Sequence, residues 1–184
     1  MNIQSTPLEG CFVIEPKVFG DPRGYFFESF NQQKFTELTG HTIPFVQDNQ
    51  SYSTKGVLRG LHMQKGNLAQ SKLVRVVKGE VLDVAVDIRR QSKTYGQYFS
   101  IRLSAENNLQ LFVPRGFLHG FVVLSDDAIF QYKCDNYYDR SAEGGVHYAD
   151  PKIGIDWILP HDQLLVSDKD IILPNLSEAG DSGF

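Results

Sequence analysis

Cysteine is almost missing from these 184 residues: Cys11 and Cys134 are the only two, and no CxxC spacing joins them. That excludes a disulfide framework and reads as two reduced, structural thiols. A basic surplus is missing too. The net charge is −4 and the 18 Lys and Arg residues are scattered, which leaves no stripe for a nucleic-acid backbone or an anionic membrane. The start, Met1-Asn-Ile-Gln-Ser-Thr-Pro-Leu-Glu9, lacks the apolar centre of a signal peptide, and no apolar run is long enough to span a bilayer. A cytoplasmic protein is expected, with no nucleic-acid or membrane partner. Internal repeats, low-complexity tracts and linkers are also lacking. With 41% hydrophobic and 22% charged residues, residues 1–184 are expected to bury one core as a single domain, and the small, polar tail 175–184 to be partly disordered.

What is present is a succession of short β patterns. Cys11-Phe-Val-Ile-Glu-Pro16 and Gly24-Tyr-Phe-Phe-Glu-Ser-Phe30 are aromatic and β-branched runs on either side of the turn signal Gly20-Asp-Pro-Arg-Gly24. Asn31 is placed to cap a helix through Thr39 that puts Phe35 and Leu38 on one face and stops at Gly40. Further strands are expected at 45–48, 57–62, 72–77, 81–88, 97–103, 109–113, 117–124 and 129–136, and a short helix near 162–166. So many strands without intervening helices imply a mainly all-β sandwich or barrel with a few short helices. Lys78-Gly79 reads as the two-residue turn of a hairpin between the strands ending at Val77 and starting at Glu80. In the second of these, Leu82, Val84, Val86 and Ile88 share one face and Asp83, Ala85 and Asp87 the other, so the two carboxylates must be solvated or paired.

The chemistry gathers in Gly56-Val-Leu-Arg-Gly-Leu-His62-Met-Gln64 and the strand that begins at Lys72. A histidine and a lysine lie within one hairpin's reach of each other among residues suited to a buried sheet. Strict pleating would separate Arg59 from His62, but Gly60 is the expected site of a bulge that keeps both at one pocket. The strand pattern resembles the cupins, double-stranded β-helix or jelly-roll barrels whose metal-binding members carry His-x-His with a later Glu, then Pro-x-Gly-x-x-His. Pro114-Arg-Gly116-Phe-Leu-His119 fits the second motif, whereas Gln64 stands in place of the second histidine of the first, and Leu68 and Ala69 in place of its glutamate. Two histidines and an amide do not hold a divalent metal tightly, so no metal is expected. A pocket with an imidazole base and an ammonium suits removal of a proton α to a carbonyl, the ammonium holding the enolate. Tyr132 has the chemistry of an acid of high pKa that returns a proton to the opposite face.

Six linked segments then carry a closer resemblance: Gly20-Asp-Pro-Arg-Gly-Tyr-Phe-Phe-Glu28, Gln47-Asp-Asn49, Val57-Leu-Arg-Gly-Leu-His62, Gln70-Ser-Lys-Leu-Val74, Pro114-Arg-Gly-Phe-Leu-His-Gly120 and Tyr132-Lys133. In order and spacing this resembles the dTDP-4-dehydrorhamnose 3,5-epimerase family, from about residue 8 to 175. The resemblance implies a cupin-type jelly roll that forms a homodimer, uses no cofactor, and inverts C3 and C5 of dTDP-4-keto-6-deoxyglucose on the way to L-rhamnose. It also implies that His62 is the base, Tyr132 the acid, Lys72 the partner of the C4 oxygen and Asp170 the carboxylate orienting the base, with Asp168 close to it in sequence. Arg23, Glu28, Gln47, Asn49, Arg59, His119, Glu143 and Lys169 match positions that hold the nucleotide or sugar, and Tyr138 one that lines the pocket. Met63, Ser71 and the segment Val146-His-Tyr148 depart from residues common in the family, and none is the expected acid, base or lysine.

Two other readings share these residues. A relative could invert only C3, or only C5, of another nucleotide-linked 4-keto sugar, because acid and base would look the same. A cupin that only binds a sugar nucleotide would share the fold, which by itself never proves catalysis.

Overall fold

In the computed structural model, residues 1–179 are described, and they form a mainly β jelly-roll barrel of the cupin type with few, short helices. The strands are β1 (Asn2–Ser5), β2 (Phe12–Glu15), β3 (Phe19–Asp21), β4 (Gly24–Phe26), β5 (Gln47–Thr54), β6 (Val57–Gln64), β7 (Lys72–Lys78), β8 (Glu80–Asp87), β9 (Tyr98–Ser104), β10 (Gln110–Val113), β11 (Phe117–Val123), β12 (Asp127–Cys134), β13 (Glu143–Gly145) and β14 (Leu165–Val166); α1 spans Gln32–Thr39 and α2 Asp168–Ile171. One sheet runs β1-β2-β10-β7-β12-β5 and the other β13-β6-β11-β8-β9, with β14 added in parallel to β6. β3 and β4 make a separate hairpin around the expected turn at 20–24.

The hairpin expected at Lys78-Gly79 is not one. β7 pairs with β10 and β12, whereas β8 pairs with β9 and β11. The tight turn carries the chain from one sheet to the other. Gly79 is required there: its φ is +75°, and a Cβ would stand 2.0 Å from the carbonyl oxygen of Asp127. The same holds for β6 and β7, so His62 and Lys72 are not hairpin neighbours and instead sit on facing sheets.

Three apolar layers follow from this arrangement. Between the sheets, Val74, Val76 and Phe130 of one meet Val81, Ala85 and Phe121 of the other. The face of β8 that was expected to be polar is therefore an inner face, and Asp83 and Asp87 are both fully buried and paired. Outside the second sheet, Leu82, Val84 and Val86 are covered by Val146, Tyr148 and Trp157 of the later chain. Outside the first, α1 lays Phe35 against Ile14, Leu73 and Phe112, a burial contributing about 1.5–3 kcal/mol for a side chain of this kind. The helix starts where expected, with Asn31 accepting from the Lys34 amide, and ends at Gly40 in the left-handed conformation. Leu38 does not share the buried face with Phe35; it is exposed.

Other boundaries shift. The strand expected at 45–48 begins at Gln47 and runs to Thr54, and the run 24–30 is extended only through Phe26. The helix expected near 162–166 is a single 3₁₀ turn, His161–Gln163, followed by β14. Of the tail 175–184, Leu176 is buried and donates its amide to Asp150, while residues 180–184 lie outside the described part. Cys11 and Cys134 are free and buried, and burial pushes their thiols up, to about 12 and about 11. Among the described residues no helix is long and apolar enough to cross a membrane.

Candidate active site

A cavity of about 450 Å³ opens between the two sheets. β6 and β11 supply His62, Arg59 and His119 from one wall, and β7 and β12 supply Lys72 and Tyr132 from the other. The stacked rings of Phe121 and Phe130, with centroids 4.2 Å apart, form part of its apolar lining with Val57, Leu58 and Leu165. A second cavity of about 220 Å³ shares His62, Lys72 and Tyr132 and adds Gln47, Asn49, Tyr138 and Glu143.

The expected bulge in β6 is present. The pairing of β11 with β6 shifts by one residue between His119, opposite His62, and Phe121, opposite Arg59. Gly60 and Gly120 make room for it, since a Cβ on Gly60 would come within 2.7 Å of the Gly120 Cα. The shift cancels the alternation that would have turned Arg59 away, so Arg59 and His62 line the same cavity. Arg59 is steadied by a bond from its Nε to Ser53 Oγ at 3.1 Å.

His62 is oriented from the later chain. β14 lies along β6 and leads into Ser167, which caps α2 by accepting from the Asp170 amide. That turn delivers Asp170 to His62, with Nε2 to Oδ1 at 2.7 Å, and the other carboxylate oxygen accepts from the Gly60 amide at 3.3 Å. Asp168, its neighbour in sequence, is exposed. Burial pushes the Asp170 carboxyl up, but the bonds from His62, Gly60 and Ser167 outweigh it and hold the carboxyl below its ordinary value. A carboxylate on Nε2 favours the tautomer protonated there and leaves Nδ1 with its lone pair.

The Lys72 ammonium makes no hydrogen bond or ion pair among the described residues, and it lies 5.7 Å from the centre of the Tyr132 ring. Burial lowers its pKa, an effect offset in part by Cys134, Asp83 and Glu143. An ammonium that faces a cavity can hold an oxyanion there. Burial raises the Tyr132 phenol, which therefore keeps its proton as a donor should.

The other expected residues divide into two groups. Gln47 bonds Asn49 at 3.0 Å, Tyr138 donates to Glu143 at 3.5 Å, and Lys169 pairs with Glu143 at the cavity mouth. His119 is buried and bonded to Asp83 at 2.9 Å. Arg23 and Glu28 are not brought to this cavity: Arg23 is exposed and paired with Asp21, and Glu28 with Lys34. The departures Ser71 and Tyr148 lie off it, Tyr148 in the outer apolar layer, while Met63 lines the second cavity. Asp83 and Gln64 are the residues the sequence reading passed over as parts of the site. The available signal for Asp83 was a carboxylate inside an apolar strand; for Gln64 it was an amide at a position where cupins place a ligand. Among the described residues no three His, Cys, Asp or Glu side chains converge as a metal cluster.

Known proteins resemble this chain over nearly its whole length. A family model described as dTDP-4-dehydrorhamnose 3,5-epimerase matches residues 5–178. The dTDP-4-dehydrorhamnose 3,5-epimerase of Salmonella typhimurium is 54% identical, over 97% of each chain. Among solved structures, that of the enzyme from Elizabethkingia anophelis superposes with a TM-score of 0.94 at 53% identity, over 97% of each chain. The 3,5-epimerase of Legionella pneumophila, solved with dTDP-4-keto-L-rhamnose, gives 0.92 at 50% identity, over 96% of this chain and 93% of that one. By matched length, identity and superposition alike, this chain belongs to the dTDP-4-dehydrorhamnose 3,5-epimerase family.

Proposed function

We propose that this protein converts dTDP-4-dehydro-6-deoxy-D-glucose to dTDP-4-dehydro-L-rhamnose, removing and returning protons at C3 and C5 without a cofactor. The observation that carries the reading is the placement of His62 and Tyr132 on facing sheets of one cavity. A sugar ring lying between the sheets presents one face to each. His62, oriented by Asp170, takes the proton α to the C4 ketone. Lys72 holds the oxygen as it gains charge, and Tyr132 delivers a proton to the opposite face. General-base catalysis supplies roughly 10²–10⁴-fold and an oxyanion donor about 3–4 kcal/mol. Arg59, His119, Gln47, Asn49, Glu143 and Lys169 hold the nucleotide and sugar in place, with Tyr138 as a wall.

The reading extends to a homodimer. Phe19, Tyr25 and Phe26 are exposed together on the β3–β4 hairpin, an aromatic edge that a second copy would cover. Arg23 and Glu28, remote from their own cavity, would then serve the partner's. We place the protein in the cytoplasm, where nucleotide-activated sugars are supplied, and its two buried free thiols suit a reducing compartment.

Incubation with the 4-keto substrate in deuterated water, followed by NMR at C3 and C5, tests the function. Label and inversion are expected at both centres. Tyr132→Phe should give labelled but uninverted sugar, since abstraction survives without the second proton. Inversion at one centre alone, or binding without exchange, overturns the reading.

A further inference from the structure

The loop after β12 carries Tyr138, and its backbone is held by glutamine side chains instead of by a sheet. Gln70 Nε2 donates to the Asn136 carbonyl at 2.8 Å. Gln64 Nε2 donates to the Tyr137 carbonyl at 3.0 Å, and Gln64 Oε1 accepts from the Asp139 amide at 2.6 Å. Gln47 Oε1 accepts from the Tyr138 amide between them at 2.9 Å. Four successive residues thus rest on three glutamines drawn from β5, β6 and the segment before β7. Gln64 is the centre of the set: it is buried, and its second N–H goes to the Leu68 carbonyl at 2.7 Å.

We infer that Gln64 is a positioning residue, standing where a metal-binding cupin has a ligand, that sets the Tyr138 wall of the substrate cavity through a carboxamide clamp. Both amide protons and the amide oxygen are committed. A histidine cannot make three such bonds, and a glutamate would turn a carboxylate on two carbonyl oxygens. The carboxamide is therefore the side chain whose donor and acceptor set fits this place. This rests on the reading of Tyr138 as a substrate contact. The clamp holds the loop equally before and during proton transfer, so its loss weakens ground-state and transition-state binding alike.

The test is a double-mutant cycle of Gln64→Met and Tyr138→Ala, with kcat and KM for the dTDP-4-keto sugar, alongside deuterium exchange of the peptide backbone without substrate. Gln64→Met is expected to speed exchange at 136–139, raise KM roughly tenfold and leave kcat within about threefold. In the Tyr138→Ala background it should add nothing further to KM. Unchanged exchange in the loop, a fall in kcat as large as the rise in KM, or multiplying effects in the cycle would overturn the inference. Should Gln64→Met not fold, Gln70→Met, which removes one bond of the set, must show the same non-additivity at smaller size. A wild-type protein that does not turn over the sugar would sink the functional reading alone, because backbone exchange still decides whether the clamp exists.

Discussion

Two histidine–aspartate pairs face each other across one strand boundary, and their settings differ. His62 and His119 are directly opposite on β6 and β11, with carboxylates at 2.7 and 2.9 Å. His62 keeps 27% of its side chain exposed to the cavity, and both oxygens of Asp170 are bonded. His119 keeps 7%, and one oxygen of the fully buried Asp83 has no partner. Pairing alone does not make a base. The His62 pair has an open nitrogen and a carboxylate bonded at both oxygens, a form suited to an acid–base group; the His119 pair is a buried wall with an unpartnered oxygen and little access.

The sharpest way to break this contrast is to remove each ring. His62→Ala should lose deuterium exchange and inversion together by roughly 10²–10⁴-fold, whereas His119→Ala should keep exchange and show its loss mainly in KM. Exchange in the His62 variant near the wild-type rate would assign the base elsewhere. Next in size, Lys72→Ala should lower kcat by about 10²–10³-fold, because the C4 oxygen gains charge only as the enolate forms. A rise in KM without a change in kcat would make Lys72 a ground-state contact. Asp170→Asn should lower kcat by less than the loss of the His62 ring itself, because the imidazole survives but its tautomer is no longer held, and Asp83→Asn should do so much less. Equal losses would erase the distinction between the pairs.

The smallest expected effect is on stability in acid. The Asp170 carboxyl is held below the ordinary value of 3.8. Its contribution is therefore present above the unfolded value and is lost as pH falls through the lower folded one. Urea midpoints followed from neutral pH down through that window should fall less steeply for Asp170→Asn than for wild type. Parallel curves would mean that the carboxylate is not stabilised by its partners.

Much of the site could be read from the chain because its signals are local. Gly60 announced the bulge that turns Arg59 inward, and Asn31 and Gly40 announced both ends of α1. What failed was non-local. Lys78-Gly79 has the chemistry of a hairpin turn, yet which strand lies beside β7 or β8 is decided by residues far along the chain. β8 is buried on both faces, so its alternation could not say which face was inner, and Asp83 went unassigned as a result. Leu38 has the right spacing for the buried face of α1, but Phe35 alone meets the four-ring aromatic cluster with Phe30, Phe45 and Phe112. The Gln64 clamp rests on contacts with residues 73 and 75 positions later, which no window of sequence contains.

The bond between His62 and Asp170 spans 108 residues, and this orders events during synthesis. β6 to β12 can leave the ribosome and pair while His62 still lacks its carboxylate. At about 5–20 residues per second, several seconds pass between the emergence of His62 and that of Asp170. Through that interval a nascent chain has an unoriented imidazole in an unfinished cavity. The His62–Asp170 pair is complete only when β14 docks on β6 and leads into α2, so the cavity is finished by a turn made 108 residues after the ring it orients.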